Sequence, residues 1–519
     1  MHWADKIAKE IISSGKHKPY WVDDMKTASG FAHVGSMLGP VFHSLVYRAL
    51  KKAGQDVTFT FVINDFDVID GLPKDLEKDY SKYMGFPLKT APSPVPEFKS
   101  FSDYFADDFI KSFRALGVEA ETLSSWDMYH EGKFDELIRT ALDNSEKIQD
   151  IYKTVSGSAK KELGWLPLQV ICENCGKLGT TRVYDWDGEK VSYKCEPKLV
   201  TWAEGCEHES KISPFGGKAK LPWKVDWAAH WKAIGVTIEG AGKDHSSAGG
   251  SFDIAMAICK DVFKFPQPYK LPYEWILFGG RKMSTSKGIG MKAHDLVKIL
   301  PPKVARFIFA RHNYKKQTNF NAEGTLAIPD LFDEYDKASN LYWGGKDHKL
   351  AAAFEYSQVS EKTPEKHFLP RFIDVANYLQ DAKIDIAKKF EEIKGGPLNE
   401  LEKNTLDERT KYAKIWLADY APKEDVFTIS SSEVPEKAKS LTEAQKEYLK
   451  KVSELMEQKW ENPDELQTAL YNTSKEMGIP AKDAFAAIYL VLIGKPHGPK
   501  AAWFLLENLK VVKSRLIQI

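Results

Sequence analysis

The hydrophobic positions of the first 75 residues change period twice. Trp3, Ile7, Ile11 and Ile12 recur at helical spacing. An extended stretch follows at residues 20–22, and Ser29-Gly30 marks a turn. Leu38, Val41, Leu45, Val46, Ala49 and Leu50 then share one face of a helix predicted over residues 35–52, with Pro40 in its first turn. Val57–Ile63 is an unbroken β-branched and aromatic run, which suits a strand buried on both faces of a parallel sheet. Strand, turn, helix and strand make a βαβ unit.

Further along, a Pro-rich bend at residues 87–96 leads into a mainly helical pattern up to residue 165. Residues 168–215 carry short β-like runs between turns. Residues 231–280 return to α/β, with strands predicted at 234–238 and 275–278 and a helix at 255–262. From residue 301 to 519 the pattern is almost all helical, interrupted near 395–397 and 430–435. The pattern predicts a split α/β domain, an insertion and a helical C-terminal half. The best apolar runs, 484–493 and 501–506, fall far short of the about 20 residues of a membrane span. The opening Met1-His-Trp-Ala-Asp lacks the basic and apolar regions of a secretory leader, so a cytoplasmic location is expected.

Charge changes this picture locally. Lys+Arg and Asp+Glu are both 73 in 519 residues, so the net charge is zero and a uniformly basic nucleic-acid binder is excluded. One stretch departs from the balance. Residues 281–316 hold ten Lys/Arg against Asp295, with Phe307, Phe309 and Tyr314 interleaved, and are expected to hold a phosphate backbone. Cysteine is sparse, with four of five inside residues 172–206, which suits a metal site in a reducing compartment rather than a disulfide scaffold.

Four constellations carry candidate chemistry. Thr27-Ala-Ser-Gly-Phe-Ala-His33-Val-Gly35-Ser36 lies between a strand and a helix N-terminus, where free N–H groups suit phosphate and a glycine admits a flat base. Arg281-Lys-Met-Ser-Thr-Ser-Lys-Gly288 follows a strand and two glycines. Its two lysines and three hydroxyls suit a departing pyrophosphate. Gly242-Lys-Asp244-His245 places an acid beyond a strand end, where such a residue often accepts from ribose hydroxyls and a solvated turn is the alternative. Cys172, Cys175, Cys195 and Cys206 suit a closed tetrahedral zinc site, with His208 an alternative to Cys206 as fourth ligand. Cys259 sits in a helical apolar pattern and reads as core.

Combined, these motifs resemble a known family. His33-Val-Gly-Ser36 resembles the HIGH signature of class I aminoacyl-tRNA synthetases, and Lys282-Met-Ser-Thr-Ser-Lys287 their KMSKS signature. The four-cysteine segment, Leu221-Pro-Trp-Lys-Val-Asp-Trp227, Gly242-Lys-Asp-His245, Pro272-Tyr-Glu-Trp275 and Gly498-Pro-Lys500 extend the resemblance over most of the chain, to the class I lysyl-tRNA synthetases. The resemblance implies a Rossmann-type parallel-sheet catalytic domain split by a zinc-bearing insertion, followed by an all-α anticodon-binding region. On that pattern residues 1–95 and 221–300 form the two catalytic halves. Residues 96–220 form the insertion, with its zinc knuckle at 168–213. Residues 301–395 form a stem-contact domain and 396–519 the anticodon-binding domain.

The resemblance also implies activation of lysine by ATP with Mg2+, transfer to tRNA(Lys), a structural zinc ion and a monomer. Carried over, His33, Gly35, Ser36, Lys282, Ser284, Ser286 and Lys287 would serve catalysis. Thr27, Ser29, Gly242, Asp244, His245 and Met283 would help bind ATP. Trp223, His245 and Tyr273 would line the lysine site.

The chain departs from the pattern in places. Ser36 replaces the usual Asn, Ala28 a Pro, Met25 a Gly, and Met37-Leu38-Gly39 replaces Phe-Arg-Glu, removing an acid. A substrate ammonium needs a carboxylate partner. Asp23, Asp24, Asp65 and Asp67 are the candidates, and Asp65 and Asp67, just past a strand, are expected to face the cleft.

Overall fold

The computed structural model describes residues 1–157, 164–280, 291–360, 362–381, 384–423, 425–426, 434–460, 462–498 and 500–518. The chain forms two compact units. One comprises residues 1–321 with 335–365, the other residues 322–334 with 366–519.

The first unit is built on five parallel strands: β1 (Tyr20–Lys26), β2 (Val57–Ile63), β3 (Glu121–Ser124), β4 (Ile238–Gly242) and β5 (Tyr269–Tyr273). Their spatial order is 3-2-1-4-5, the order of a nucleotide-binding doubly wound sheet. In such a sheet ligands bind beyond the strand C-termini where the order reverses, here between β1 and β4.

Five helices matter to that crevice: α1 (Trp3–Ser14), α2 (Leu38–Lys52), α3 (Phe101–Ala115), α4 (Trp223–Ile234) and α5 (Ser251–Asp261). α1 starts with a capping box in which His2 accepts the Ala4 N–H and Asp5 accepts the His2 N–H. α2 and α3 cover one sheet face. Phe61 of β2 meets Phe109 and Phe113 of α3 with ring centroids 5.9 and 5.0 Å apart. α4 covers the other face through Trp227 and Trp231, and α5 packs on α4 through Phe252.

Strand Val57–Ile63 forms as expected, buried at six of seven positions. Other elements shift. The helix expected from residue 35 starts at Leu38, after a 3-10 turn at Val34–Met37. The strand expected at 234–238 starts only at Ile238. Ile234 closes α4 instead, and Gly235 ends that helix at φ 94°, a conformation suited to glycine. The strand at 275–278 is found as Ile276–Phe278, but it pairs with Thr318–Phe320 in a separate two-stranded ribbon. β3 was hidden, because Glu-Thr-Leu-Ser has no apolar run. It is an edge strand lying inside the segment assigned to the insertion, so the sheet extends past residue 95.

Residues 164–220 form a small β layer. Thr181–Trp186, Val191–Cys195 and Glu209–Ile212 make an antiparallel sheet, and Gln169–Val170 pairs with Ala219–Lys220. The basic stretch after residue 290 does not form one open face. Arg306 is fully buried and donates to Tyr356 O, Leu116 O and Ser44 Oγ, while Phe307 and Phe309 are core of the helix Pro302–Ala310. Those residues tie the unit together and are closed to a nucleic acid.

The second unit is helical. Its helices include Phe372–Tyr378, Glu400–Ile415, Glu443–Met456, Pro463–Glu476 and Ala481–Ile493, and Tyr448, Leu466, Leu470 and Ile488 anchor one apolar core. Among the described residues no helix is long and apolar enough to cross a membrane.

Candidate active site

A cavity of about 550 Å³ opens at the C-terminal ends of β1 and β4, where the strand order reverses. β1 supplies Asp24, Met25 and Lys26, and the following loop supplies Thr27, Ser29 and His33. β4 supplies Glu239, Gly240, Ala241 and Gly242. Asn64, Asp70, Trp223, Trp227, His245 and Tyr273 complete the lining. A side chain at Gly240 would stand 2.7 Å from the Leu271 carbonyl, so only glycine lets β4 and β5 close up there.

The first signature is held in place by main-chain bonds. Val34 N–H donates to Met291 O at 2.9 Å, and Ala293 N–H to Ala32 O at 2.8 Å. The segment that follows residue 290 is thereby fastened to the His33 loop. Lys282, Met283, Ser284, Ser286 and Lys287 lie outside the described residues. His33 lines the cavity, and burial followed by the nearby Lys26 lowers its pKa to about 4. It is therefore neutral at pH 7. Gly35 and Ser36 sit in the adjoining 3-10 turn and do not line the cavity.

On the far side, Trp223 stacks on Trp227, with centroids 5.4 Å apart, and meets the His245 ring at 5.1 Å. Tyr273 lines the same wall, and burial, then Asp24 and Glu239, pushes its phenol up. Asp244 is exposed in the short helix Lys243–Ser246 and is not in the lining.

The acids are distributed differently from the expectation. Asp65 is 2% exposed and both its oxygens are engaged: it accepts from Ser124 Oγ at 2.7 Å and from Trp126 N at 2.8 Å, with Lys89 Nζ at 3.2 Å. It caps the helix Ser125–His130 instead of facing the cavity. Asp67 accepts from Thr27 Oγ1 at 2.7 Å and Asn64 Nδ2 at 2.8 Å, and pairs with Lys220 at 3.0 Å. It positions Thr27 from behind the lining. Asp23 is fully buried, accepts from Thr60 Oγ1 at 2.5 Å, and lies opposite Glu239 in the strand register. Burial and the facing Glu239 raise its pKa well above the carboxylate range. Glu239 does reach the cavity, braced by the Trp227 and Trp231 indole N–H groups. Glu239, Lys26 and Asn64 had no motif to announce them, and Trp227 stood in a quoted string without a role. A charged residue beside an apolar strand run was the available signal for Glu239.

The four cysteines converge. All four sulfurs lie within 4.8 Å of one another, with Cys172–Cys206 at 3.6 Å and Cys175–Cys195 at 3.7 Å. Four thiolates at about 2.3 Å from a tetrahedral zinc ion would stand about 3.8 Å apart, so the set has the right size. Cys206 N–H, Thr180 Oγ1 and Asn174 Nδ2 also approach these sulfurs at 3.2–3.4 Å, as outer partners of thiolates do. Cys259 is buried core.

A parallel 3-2-1-4-5 sheet with a HIGH-type loop at its crevice defines a class I synthetase catalytic unit, and the sequence comparisons agree. The family of "tRNA synthetases class I (K)" matches residues 1–361, and an "Anticodon binding domain" matches residues 403–507. The chain belongs to the class I lysyl-tRNA synthetase family. It is 34% identical to the lysine–tRNA ligase of Methanocaldococcus jannaschii, covering 97% of each chain. It is 31% identical to that of Methanosphaera stadtmanae, covering 98% of this chain and 97% of the relative.

Proposed function

We propose that the protein is an ATP-dependent lysine–tRNA ligase of the cytoplasm, acting as a monomer on lysine, ATP and tRNA(Lys). The full-length likeness to lysine–tRNA ligases carries this reading, and the acid-lined cavity beside the His33 loop supports it. Two steps balance the reaction. A lysine carboxylate oxygen attacks the α-phosphorus of ATP, the bond to the β-phosphate breaks, and magnesium-bound pyrophosphate leaves. A hydroxyl of the terminal tRNA ribose then attacks the lysyl carbonyl carbon and AMP departs. No side chain need be a nucleophile. The protein's contribution is alignment and charge stabilisation.

In this reading neutral His33, with Thr27 and Ser29, meets the phosphates and ribose. Gly242 and His245 lie against the nucleoside, with Asp244 beside them, and Gly35 and Ser36 shape the turn below. Lys282, Ser284, Ser286 and Lys287 hold the pyrophosphate, and Met283 packs beside them. Trp223, Tyr273 and Glu239 frame the amino acid. The helical second unit reads the anticodon.

Cys172, Cys175, Cys195 and Cys206 would hold a zinc ion. Four thiolates leave no open coordination position, so the ion would fix the β layer and take no part in the chemistry.

ATP–pyrophosphate exchange with lysine, arginine, glutamate and cysteine, each with and without total tRNA, tests the reading. Lysine-dependent exchange that needs tRNA is expected. Exchange driven by another amino acid would keep the mechanism and overturn the specificity, and its absence with all four would overturn both.

A further inference from the structure

Two buried acids line the cavity, and only one has its oxygens free of side-chain donors. Glu239 is braced by two indole N–H groups. Asp24 is 8% exposed and keeps one backbone N–H, that of Met25. Among the described residues the basic group within 4 Å of it is His43, at 3.8 Å. That imidazole cannot neutralise it. His43 Nε2 accepts the Gly240 N–H at 2.7 Å, so Nε2 is unprotonated and the ring is neutral, and Nδ1–H donates to Gly39 O at 2.7 Å. A buried carboxylate facing a cavity with no cation in contact is costly to leave alone.

The room Asp24 occupies is made by a glycine. A Cβ on Gly39, in the first turn of α2, would stand 2.5 Å from Asp24 Oδ2 and 3.3 Å from Oδ1. The strand carboxylate therefore fills the place a side chain of the helix would take. Lys26, two residues on along β1 and also in the lining, makes no ion pair within 4 Å of it, although each charge favours the other. Its ammonium lies 6.0 Å from the Phe109 ring centroid, and its charge is felt at His33. The cavity is thus polarised along one strand, with an unpaired anion at Asp24 and a cation near the His33 loop. A molecule with an ammonium at one end and a carboxylate to be adenylated at the other matches this polarity.

We infer that Asp24 is the specificity-determining carboxylate, receiving the substrate's side-chain ammonium in a seat kept open by Gly39. This rests on the lysine reading above, and wild-type lysine-dependent exchange checks that reading separately. Given that exchange, Asp24→Asn is expected to raise the lysine KM about 100-fold, the cost of one charge-assisted bond at a buried site. The ATP KM should stay within twofold. Inhibition by norleucine, which lacks only the ammonium, should be unchanged. A lysine KM within twofold of wild type, or equal increases in lysine and ATP KM, would overturn the inference. Gly39→Ala gives a second reading should Asp24→Asn fail to fold, because it displaces the carboxylate without removing it. A lysine KM raised about tenfold with ATP KM held supports the inference. An unchanged lysine KM contradicts it.

Discussion

Lys220 offers the sharpest test of how the small β layer is joined to the catalytic site. Its ammonium is almost fully buried, 2.7 Å from Asp226 Oδ2 and 3.0 Å from Asp67 Oδ1. Tyr129 OH donates to Asp226 Oδ1 at 2.5 Å, and His230 Nδ1 lies 3.4 Å from the same oxygen. Lys220→Met keeps most of the side-chain volume and leaves Asp226 as a buried charge without its main partner. Breaking a buried pair in this way costs about 3–5 kcal/mol. The catalytic unit has about 350 residues, so at about 2 cal/mol/K of unfolding entropy per residue its melting point should fall by about 4–7 °C.

The sign with pH follows from Asp226. Burial alone would raise its pKa, but Lys220 and His230 more than offset this and hold it below the usual range. In the native protein its contribution is therefore present above about pH 4 and lost as pH falls below that. Without Lys220, burial dominates, the folded pKa rises, and stability is lost as pH rises instead. Calorimetry should thus find a larger deficit at pH 8 than at pH 5.5, with Lys220→Met/Asp226→Asn regaining part of it at pH 8. A melting point within 1 °C of wild type at pH 8 would refute the argument.

Two further outcomes are expected. The Glu239 carboxyl is raised to about 8, by burial above all and by the nearby Asp24, against the Trp231 and Trp227 bonds that lower it. A raised acid stabilises below its unfolded pKa and loses that contribution as pH rises through the folded value, so stability should fall between about pH 4.5 and 8. Glu239→Gln should flatten that part of a denaturant midpoint-versus-pH curve, and an unaltered slope would disprove the assignment. Cys172→Ser should lower zinc per chain and thermal stability together, and full zinc content by atomic emission would remove Cys172 from the ligand set.

How much of this was legible in the sequence depended on range. Val57–Ile63 declared itself because a strand buried on both faces needs no partner to be recognised. The HIGH-type loop and the cysteine cluster were legible because their chemistry sits in a few neighbouring residues. β3 was not, since an edge strand of Glu-Thr-Leu-Ser takes its identity from the sheet it joins. The acids show the limit most plainly. Asp65 and Asp67 stand past a strand end, as a ligand-binding acid should, yet local donors claim both: Ser124 and Trp126 for one, Thr27 and Asn64 for the other. Asp23 and Asp24 are adjacent and chemically alike, but strand alternation sends them to opposite faces. One meets Glu239, more than 200 residues away in sequence, and the other meets a gap left by Gly39. Which acid stays unpartnered is decided by register and by an absent side chain, neither of which composition or spacing records.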